Sequence, residues 1–362
     1  NELKLKKISN NLFISDTLKT SGPVGFGINS FDRMNNTWNK MGLSNIKTNI
    51  DGNEIFNMDL NSFSYDEWRH INTFIDYPYY KNKKIKIQKL YIEEFNPLDM
   101  YKRSLGDGVV KINETNVTYL YSVKLFDFNK NQSEILVPIQ WVKQNDLSNR
   151  KLDFKNMFKV NKDSAYNFKF PGAKVSIEKN SFYTDKIIQI FEENNLLHVD
   201  KDSIPLLKGI AIKMDVSRYN DSIRNRTYIG RIGENKKSSF VSSKKEENYV
   251  IAKVNNLGDF VIKIDSIKPN ISVIDISDNQ WISNRKNLSI KISDNESGVK
   301  NYRGTINDKW ILLEYNPMKG ILSYDFNDNV NKDDAKNVLE IKIEDNVGNE
   351  KKLIKTFYRK IK

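Results

Sequence analysis

Apolar and polar residues alternate in two related segments near the end of the chain. Residues 290–299 (IKISDNESGV) and 339–349 (LEIKIEDNVGN) each alternate and then stop in a cluster of Asp, Asn, Ser and Gly. A period of two is typical of half-buried strands, and the clusters are typical of tight turns. The pattern predicts a small antiparallel sandwich over residues 266–362, introduced by Lys268 and Pro269.

The middle of the chain has the same rhythm of short apolar runs between turn residues. A polar stretch from 144 to about 162 reads as a linker, and the polar insert 233–248 as an exposed loop. The runs predict strands at 166–170, 187–191, 209–214, 227–232, 249–254 and 258–264.

The first segment mixes strand patterns with one aromatic stretch. Residues 46–50 precede the turn Asp51-Gly52, and Asp-Gly between alternating runs is a strong hairpin signal. Residues 63–77 alternate less and predict a short helical turn or crossover. Further strands are predicted at 24–32, 118–127 and 135–139.

These patterns together predict an all-β protein. At 362 residues the chain is too long for one small sandwich, and it contains no sustained helical heptad. We expect three tandem antiparallel β-sandwich, Ig-like domains, at residues 1–145, 146–265 and 266–362.

Charge and composition narrow the function classes. The formal net charge is +12, but the lysines are scattered, with no RNP-like, helix-turn-helix or zinc-finger pattern. We therefore expect a solvated basic surface and no nucleic-acid partner; such a surface also favours acidic polymers or an anionic membrane. The absence of cysteine excludes disulfides, thiolate nucleophiles and Cys-bound metals. No stretch approaches the ~18 apolar residues of a transmembrane segment.

Two features predict export to the periplasm or outer membrane. The chain begins at Asn1 without Met, which is typical of a processed or partial product with any signal or anchor upstream. Five Asp-(Ser/Thr)-apolar triplets resemble the O-glycosylation acceptor of Bacteroidota, whose sugars are added after export. Turn chemistry explains the same triplets equally well. The candidate acceptors are Thr17, Ser164, Ser203, Ser222 and Ser266.

Candidate metal ligands are few. His198 and Asp202 match a His-x-x-x-Asp zinc pair, but catalytic zinc needs three protein ligands and no His-x-His motif follows. A turn between two strands is the better interpretation. The acidic turns 294–298 and 345–349 carry oxygen donors at short spacing, as calcium loops do, but neither fits the EF-hand pattern. Because such turns occur for backbone reasons alone, we expect no metal site and no catalytic residue in this chain.

Aromatic residues could form a flat platform for carbohydrate or peptidoglycan. Trp281 is a further candidate, whereas core packing is expected for Trp310. Adjacent aromatics cannot all point inward on a strand, which favours a surface role for the 77–80 run. The platform candidates are Trp68, Tyr77, Tyr79 and Tyr80.

The tail resembles the C-terminal region of Bacteroidota lysostaphin-like (LytM-type) metallopeptidases. Residues 293–307, 309–315, 344–349 and 356–359 carry this resemblance. Residues 63–72 and 75–77 resemble the sandwich that follows the peptidase domain in those proteins, and residues 204–206 and 218–219 fit the same layout.

The resemblance implies that zinc belongs to a domain upstream of this region. The family's Gly-x-His-x-His motif has no counterpart here, and the formal match of His198 and Asp202 cannot complete a zinc site alone, so no catalytic residue and no cofactor is expected in this chain. The expected role is to position a metallopeptidase domain on peptidoglycan or to dock it to envelope proteins. The alternative is a structural subunit of an outer-membrane secretion, assembly or uptake complex.

Overall fold

Strands form almost all of the structure, a computed structural model that describes residues 2–33, 38–62, 64–94, 96–101, 104–143, 155–233, 235–327 and 335–360. Helical segments are short. The expected all-β fold of mainly antiparallel sheets is confirmed. Buried apolar residues fall into three clusters along the chain. We call the corresponding parts the first module (residues 2–143), the second module (155–265) and the third module (266–360).

The first module is organised around one seven-stranded sheet in the order β1-β2-β11-β10-β7-β8, with β3 also pairing with β11. β2 and β3 run parallel to β11, while the other pairs are antiparallel. Two small pairs, β4-β9 and β5-β6, lie outside this sheet. The strands are β1 (Leu5–Ser9), β2 (Leu12–Ser15), β3 (Leu18–Thr20), β4 (Gly27–Ile28), β5 (Asp32–Arg33), β6 (Lys40–Met41), β7 (Asn45–Ile50), β8 (Asn53–Asp59), β9 (Gln88–Lys89), β10 (Thr118–Phe126) and β11 (Gln132–Trp141).

The hairpin between β7 and β8 is confirmed, and its cause is local. Asp51 has φ 45° and Gly52 has φ 84°. A two-residue turn with positive φ at both positions matches the twist of the flanking strands and favours Asp-Gly. The strand predicted to enter a turn over residues 24–32 is wrong in extent, because within that span only the two-residue β4 and the first residue of β5 lie in strands.

Helical turns cover one face of the large sheet, as expected for residues 63–77. They are a 3₁₀ helix (Tyr65–His70), α1 (Ile71–Phe74), α2 (Tyr77–Lys83) and a second 3₁₀ helix (Asp99–Tyr101). Asp76 caps α2 by accepting the Tyr79 amide at 3.0 Å, which satisfies a backbone donor left free at a helix start. Buried Phe74 and Met100 belong to the same core as Phe56 of β8.

The second module is a two-sheet sandwich. Its sheets have the orders β12-β15-β16-β22-β18-β19 and β13-β14-β17-β21-β20, with a short helix α3 (Asp221–Arg224) before β18. The strands are β12 (Met157–Val160), β13 (Tyr166–Lys169), β14 (Ala173–Ile177), β15 (Lys186–Glu193), β16 (Leu196–Val199), β17 (Ile210–Asp215), β18 (Thr227–Ile232), β19 (Ser238–Val241), β20 (Ser243–Glu246), β21 (Tyr249–Val254) and β22 (Gly258–Ile264).

Two predictions for this module are wrong. The insert 233–248 contains β19 and β20, which are edge strands of the two sheets. The end of the expected linker forms β12, which pairs with β15. Residues 144–154 of that linker lie outside the described residues.

The third module is a smaller sandwich of a four-stranded sheet, β23-β25-β29-β28, and a five-stranded sheet, β24-β31-β30-β26-β27. The alternation of residues 290–292 and 339–343 places Ile290, Ile341 and Ile343 in the core. The strands are β23 (Asn270–Val273), β24 (Gln280–Trp281), β25 (Asn287–Ser293), β26 (Val299–Ile306), β27 (Lys309–Ile311), β28 (Glu314–Asn316), β29 (Ile321–Asp325), β30 (Lys336–Asp345) and β31 (Glu350–Tyr358).

Candidate functional site

The junction between the first and second modules is made by the helical segment at residues 65–83. Arg69 Nη1 donates to the Leu207 carbonyl at 3.3 Å, and the Tyr183 hydroxyl donates to the Arg69 carbonyl at 2.5 Å. The rings of His70 and Tyr183 meet edge-on with centroids 5.4 Å apart. Burial raises the pKa of Tyr183 to about 12, so its hydroxyl remains a donor. The contacts join the first module to the loops of the second.

An ion cluster completes this first junction. Asp202 Oδ2 lies 2.6 Å from Lys81 Nζ of the first module and 2.7 Å from Arg231 Nη2 of the second. Their side chains are 22–27% exposed. Arg231 also donates to the Leu257 carbonyl from Nε and Nη2, at 3.1 and 2.9 Å. Charge-assisted bonds of this kind are stronger than neutral ones, and partial burial protects them from salt. In this cluster one carboxylate is paired with two cations.

A cleft of about 260 Å³ lies beside these contacts. Its walls come from both modules and carry mixed polar and aromatic side chains. They include Asn72, Tyr77, Lys89, Glu93, Tyr183 and Ser203.

The aromatic residues of the predicted platform do not form one surface, because some of their rings pack against the core and others face solvent. Tyr77 and Tyr80, three residues apart on α2, are partly buried and pack against the first module's core. Tyr79 is 36% exposed and Trp68 is 47% exposed. Adjacent rings would alternate between two faces on a strand, but Asp76 and Pro78 begin a helix here. Only Trp68 and Tyr79 present rings to solvent.

The junction between the second and third modules has a different composition. Asp265 follows β22, Asp294 follows β25 and Asp345 ends β30. One carboxylate oxygen from each residue lies within 4.8 Å of the others. Asp265 and Asp345 are completely buried. We call these three residues the acidic triad.

Backbone amides hold each carboxylate of the acidic triad in place. Asp294 Oδ1 accepts the Gly298 amide at 2.7 Å and the Glu296 amide at 3.1 Å. Asp345 Oδ1 accepts the Asn349 amide at 2.8 Å. The Asn349 side chain donates to Asp345 Oδ2 at 2.7 Å and to the Asp265 carbonyl at 3.1 Å, so it spans the module boundary. Both acidic turns thus hold a carboxylate close to Asp265.

Charge in the acidic triad is not balanced by an ion pair within the described residues. Burial raises the pKa of Asp294; the Gly298 amide opposes this shift, and the Asp265 and Asp345 carboxylates add to it. Lys245 is in electrostatic range of Asp345, but its Nζ donates to the Asn225 carbonyl. Such a set of oxygens could hold a hard cation.

The sequence identified two parts of the acidic triad and missed the third. Both acidic turns stand out as oxygen-rich, whereas Asp265 was considered only as the first residue of a glycosylation triplet. One sequence signal could have identified Asp265: it lies directly after a strand and before Pro269, where the chain passes between modules.

His198 and Asp202 do not share a site. His198 lies on β16 rather than in the expected turn, and its Nδ1 is 2.6 Å from Asp259 Oδ1. Its ring stacks on Phe191 with centroids 4.6 Å apart. Asp202 belongs to the ion cluster of the first junction. Each residue has its own structural partner.

The candidate glycosylation sites differ in accessibility. Thr17, Ser164, Ser222 and Ser266 are exposed, while Ser203 is partly buried in the cleft. The Asp residues of two triplets, Asp202 and Asp265, have structural roles at the two junctions. Glycosylation of the five residues stays a prediction.

Trp310 contradicts the expected core packing, because it is 57% exposed. The neighbouring Ile311 is buried, and the period of two on β27 directs Trp310 outward. Thr305 pairs with Trp310 on one side and with Glu340 on the other, and Glu340 pairs with Ile354. Trp310 and Ile354, the latter 54% exposed, therefore lie in one row on the outer face of the five-stranded sheet.

Comparison with known families matches the second module. Residues 155–265 match the family model of the Zu5-like domain. The match covers less than half of the chain. The comparison with curated proteins gives no match.

Solved structures give only distant likenesses. Immunoglobulin domains 1–4 of Sidekick-1 are 6% identical, with 99% of this chain and 76% of that chain covered and a TM-score of 0.21. The protocadherin γB4 extracellular domain is 8% identical, with 97% and 48% covered and a TM-score of 0.20; this chain thus spans about half of its length. A Bacteroides ovatus SGBP-B from a mixed-linkage glucan utilization locus, in complex with a heptasaccharide, is 9% identical, with 94% and 70% covered and a TM-score of 0.16. At these TM-scores the likenesses identify neither a family nor a function.

No helix within the described ranges is long and apolar enough to cross a membrane.

Proposed function

We propose that residues 1–362 are non-catalytic β-sandwich modules of an exported, cell-envelope peptidase-like protein. They position a zinc metallopeptidase domain on peptidoglycan or dock it to envelope partners. The resemblance of the tail and of residues 63–77 to lysostaphin-like metallopeptidases supports this role.

The observation that carries the proposal is the closure of the first junction by directed side-chain contacts. Domains joined only by a linker move freely relative to one another. Here Lys81 and Arg69 of the first module contact Asp202 and Leu207 of the second. A spacer of this construction holds whatever precedes it at a restricted distance from whatever the third module binds.

Deletion in the full natural protein tests this role. The protein with and without residues 1–362 is assayed on intact peptidoglycan sacculi and on a soluble muropeptide. Because tethering raises the local concentration of an enzyme at a polymer, deletion should lower cleavage of sacculi by about tenfold or more. Cleavage of the soluble muropeptide should be unchanged. Equal rates on sacculi, or the absence of any peptidase domain in the full protein, would refute the proposal.

A structural subunit of an outer-membrane complex is the second candidate function. The row of Trp310 and Ile354 on the third module favours it, since exposed aromatic residues are typical of protein interfaces. Crosslinking in native membranes separates the candidates, because contacts to outer-membrane barrels would favour the subunit.

Trp281 offers a matched control for that experiment. It lies on an edge strand of the same sheet and is 60% exposed, close to the value for Trp310. If the row is an interface, Trp310→Ala should abolish the crosslinks and Trp281→Ala should keep them. Equal crosslinking of both variants would remove the support that this row gives to the subunit.

A further inference from the structure

The acidic triad brings together three chain segments from two modules. Asp265 comes from the end of the second module, and Asp294 and Asp345 come from separate loops of the third. Two oxygens bound to one Ca²⁺ at about 2.4 Å can be at most about 4.8 Å apart. The three oxygens of the triad, all within 4.8 Å of one another, satisfy this limit.

The hydrogen bonds around the triad favour the ionised form that a cation needs. Asp265 Oδ1 accepts the Ile267 amide at 3.0 Å, and its Oδ2 accepts the Ser297 amide at 3.0 Å. Asp345 likewise accepts backbone amides from Val347 and Asn349. Donors of this kind stabilise charged carboxylates. They leave the mutual repulsion of the three charges without a balancing cation.

Ser297 supplies a second, independent observation. It is completely buried, and its Oγ has no hydrogen-bond partner. Its amide contacts Asp265, and its carbonyl accepts Asn346 Nδ2 at 2.8 Å, so the residue lies between Asp265 and the loop of Asp345. Covalent geometry keeps a serine Oγ less than about 4 Å from its own amide nitrogen. A buried hydroxyl without a partner calls for a ligand, and this one lies beside the triad.

We propose that the junction between the second and third modules binds Ca²⁺ through Asp265, Asp294, Asp345 and the Ser297 hydroxyl. The donors are all oxygens, which excludes a preference for zinc or copper. Ca²⁺ accepts six to eight oxygens in flexible geometry, while Mg²⁺ keeps several waters in a near-ideal octahedron. A site enclosed by three loops, with two carboxylates completely buried, fits Ca²⁺ better.

The bound cation would join the two modules directly. Asp265 of the second module would bind the same cation as the two acidic loops of the third. Without the cation, Asp265 contacts these loops through hydrogen bonds from Ser297 and Asn349. This inference is independent of the proposed function, since it concerns the junction alone.

Calcium titration of the 1–362 protein, stripped with EDTA, tests the site. Isothermal calorimetry with CaCl₂ should give one site per chain, with Kd on the order of 10⁻⁴–10⁻³ M as in other extracellular modules, or tighter. MgCl₂ should bind at least about tenfold more weakly because of its coordination demands. No calcium binding at millimolar concentrations, or a preference for Mg²⁺, would overturn the proposal.

Substitutions locate the site. Asp294→Asn removes one charge at a partly exposed position and should weaken calcium binding at least about tenfold, since affinity depends on the count of charged ligands. Asp325→Asn is the matched control, because Asp325 caps a turn of the same module through the Asn327 amide at 2.8 Å and lies outside the triad. Unchanged binding in Asp294→Asn, or equal loss in both variants, would refute the assignment. Asp345→Asn is a stronger change; if it fails to fold, the first pair still decides.

Discussion

The two junctions of this chain bury charge in opposite ways. At the first junction a single carboxylate, Asp202, meets two cations, Lys81 and Arg231. At the second, three carboxylates converge with no ion pair inside the described ranges. Because an unpaired buried charge is costly, the first junction is balanced by its own side chains, whereas the second would gain from the cation that we propose.

Calcium removal should produce the largest difference between the junctions. At a calcium concentration about 100 times Kd, binding stabilises the native state by about 3 kcal/mol. Urea unfolding in calcium and in EDTA should show this change in the third module, and hydrogen exchange at residues 65–83 should be unaffected. An equal calcium effect in Asp294→Asn would contradict the comparison.

Removal of the Asp202 charge should be the next largest effect. Asp202→Asn leaves two half-buried cations without their acid, which should weaken docking of the first junction by about 2 kcal/mol. Hydrogen exchange at residues 65–83 measures the change. Asp215→Asn, which alters another turn-capping carboxylate in the same module, is the control. Protection that is equal in both variants would show that the ion cluster contributes nothing.

Salt should act on the junctions with opposite signs. Raising NaCl from about 0.1 to 1 M shortens the screening length from about 10 to 3 Å. The attraction at Asp202 then weakens, while repulsion in the calcium-free triad is relieved, each by less than about 1 kcal/mol, because burial limits screening at both sites. Hydrogen exchange at residues 65–83 and at 294–298 should change in opposite directions; a shift of the same sign at both would contradict the charge assignment.

A mildly acidic pH should have the smallest effect, at His70 of the first junction. Burial lowers the pKa of His70 below its ordinary 6.5, against the influence of Glu67. Since the folded state disfavours the proton, the stabilisation is full above pH 6.5 and is lost as pH falls toward the lower folded-state pKa. The protection factors at residues 65–83, which are corrected for the intrinsic pH dependence of amide exchange, should therefore fall as the pH is lowered from 7.5 to 5.5, and His70→Gln should flatten this dependence. Identical pH profiles for the two proteins would exclude His70 as the cause.

Sequence patterns were most informative where structure is set locally. Strands β18, β21 and β22 have the predicted bounds, because each is a short run rich in β-branched and aromatic residues that ends next to turn residues. The Asp51-Gly52 hairpin follows from the backbone demands of its turn. The edge strands β19 and β20 were missed because their residues are mostly exposed or only partly buried, which leaves no apolar alternation to detect.

The candidate site could be predicted only in part. Residues 294–298 and 345–349 are recognisable as acidic turns, but their meeting with Asp265 depends on contacts between residues about 30 and 80 positions apart. The division of the aromatic run 77–80 into buried and exposed rings was not predicted, although Asp76 and Pro78 signal a helix start. Tertiary contacts decide the first case, whereas the helix start in the second case is a local signal.

Arg231 orients Asp202 within the second module, independently of the first module. It holds Asp202 inside the second module, and its own position is fixed by two hydrogen bonds to the Leu257 carbonyl. The carboxylate is thus already oriented before Lys81 arrives from the first module, so docking need not immobilise it. A receptor that is rigid in advance loses little entropy when it binds. We therefore expect the isolated second module to hold the Asp202 carboxylate in the orientation that binds Lys81.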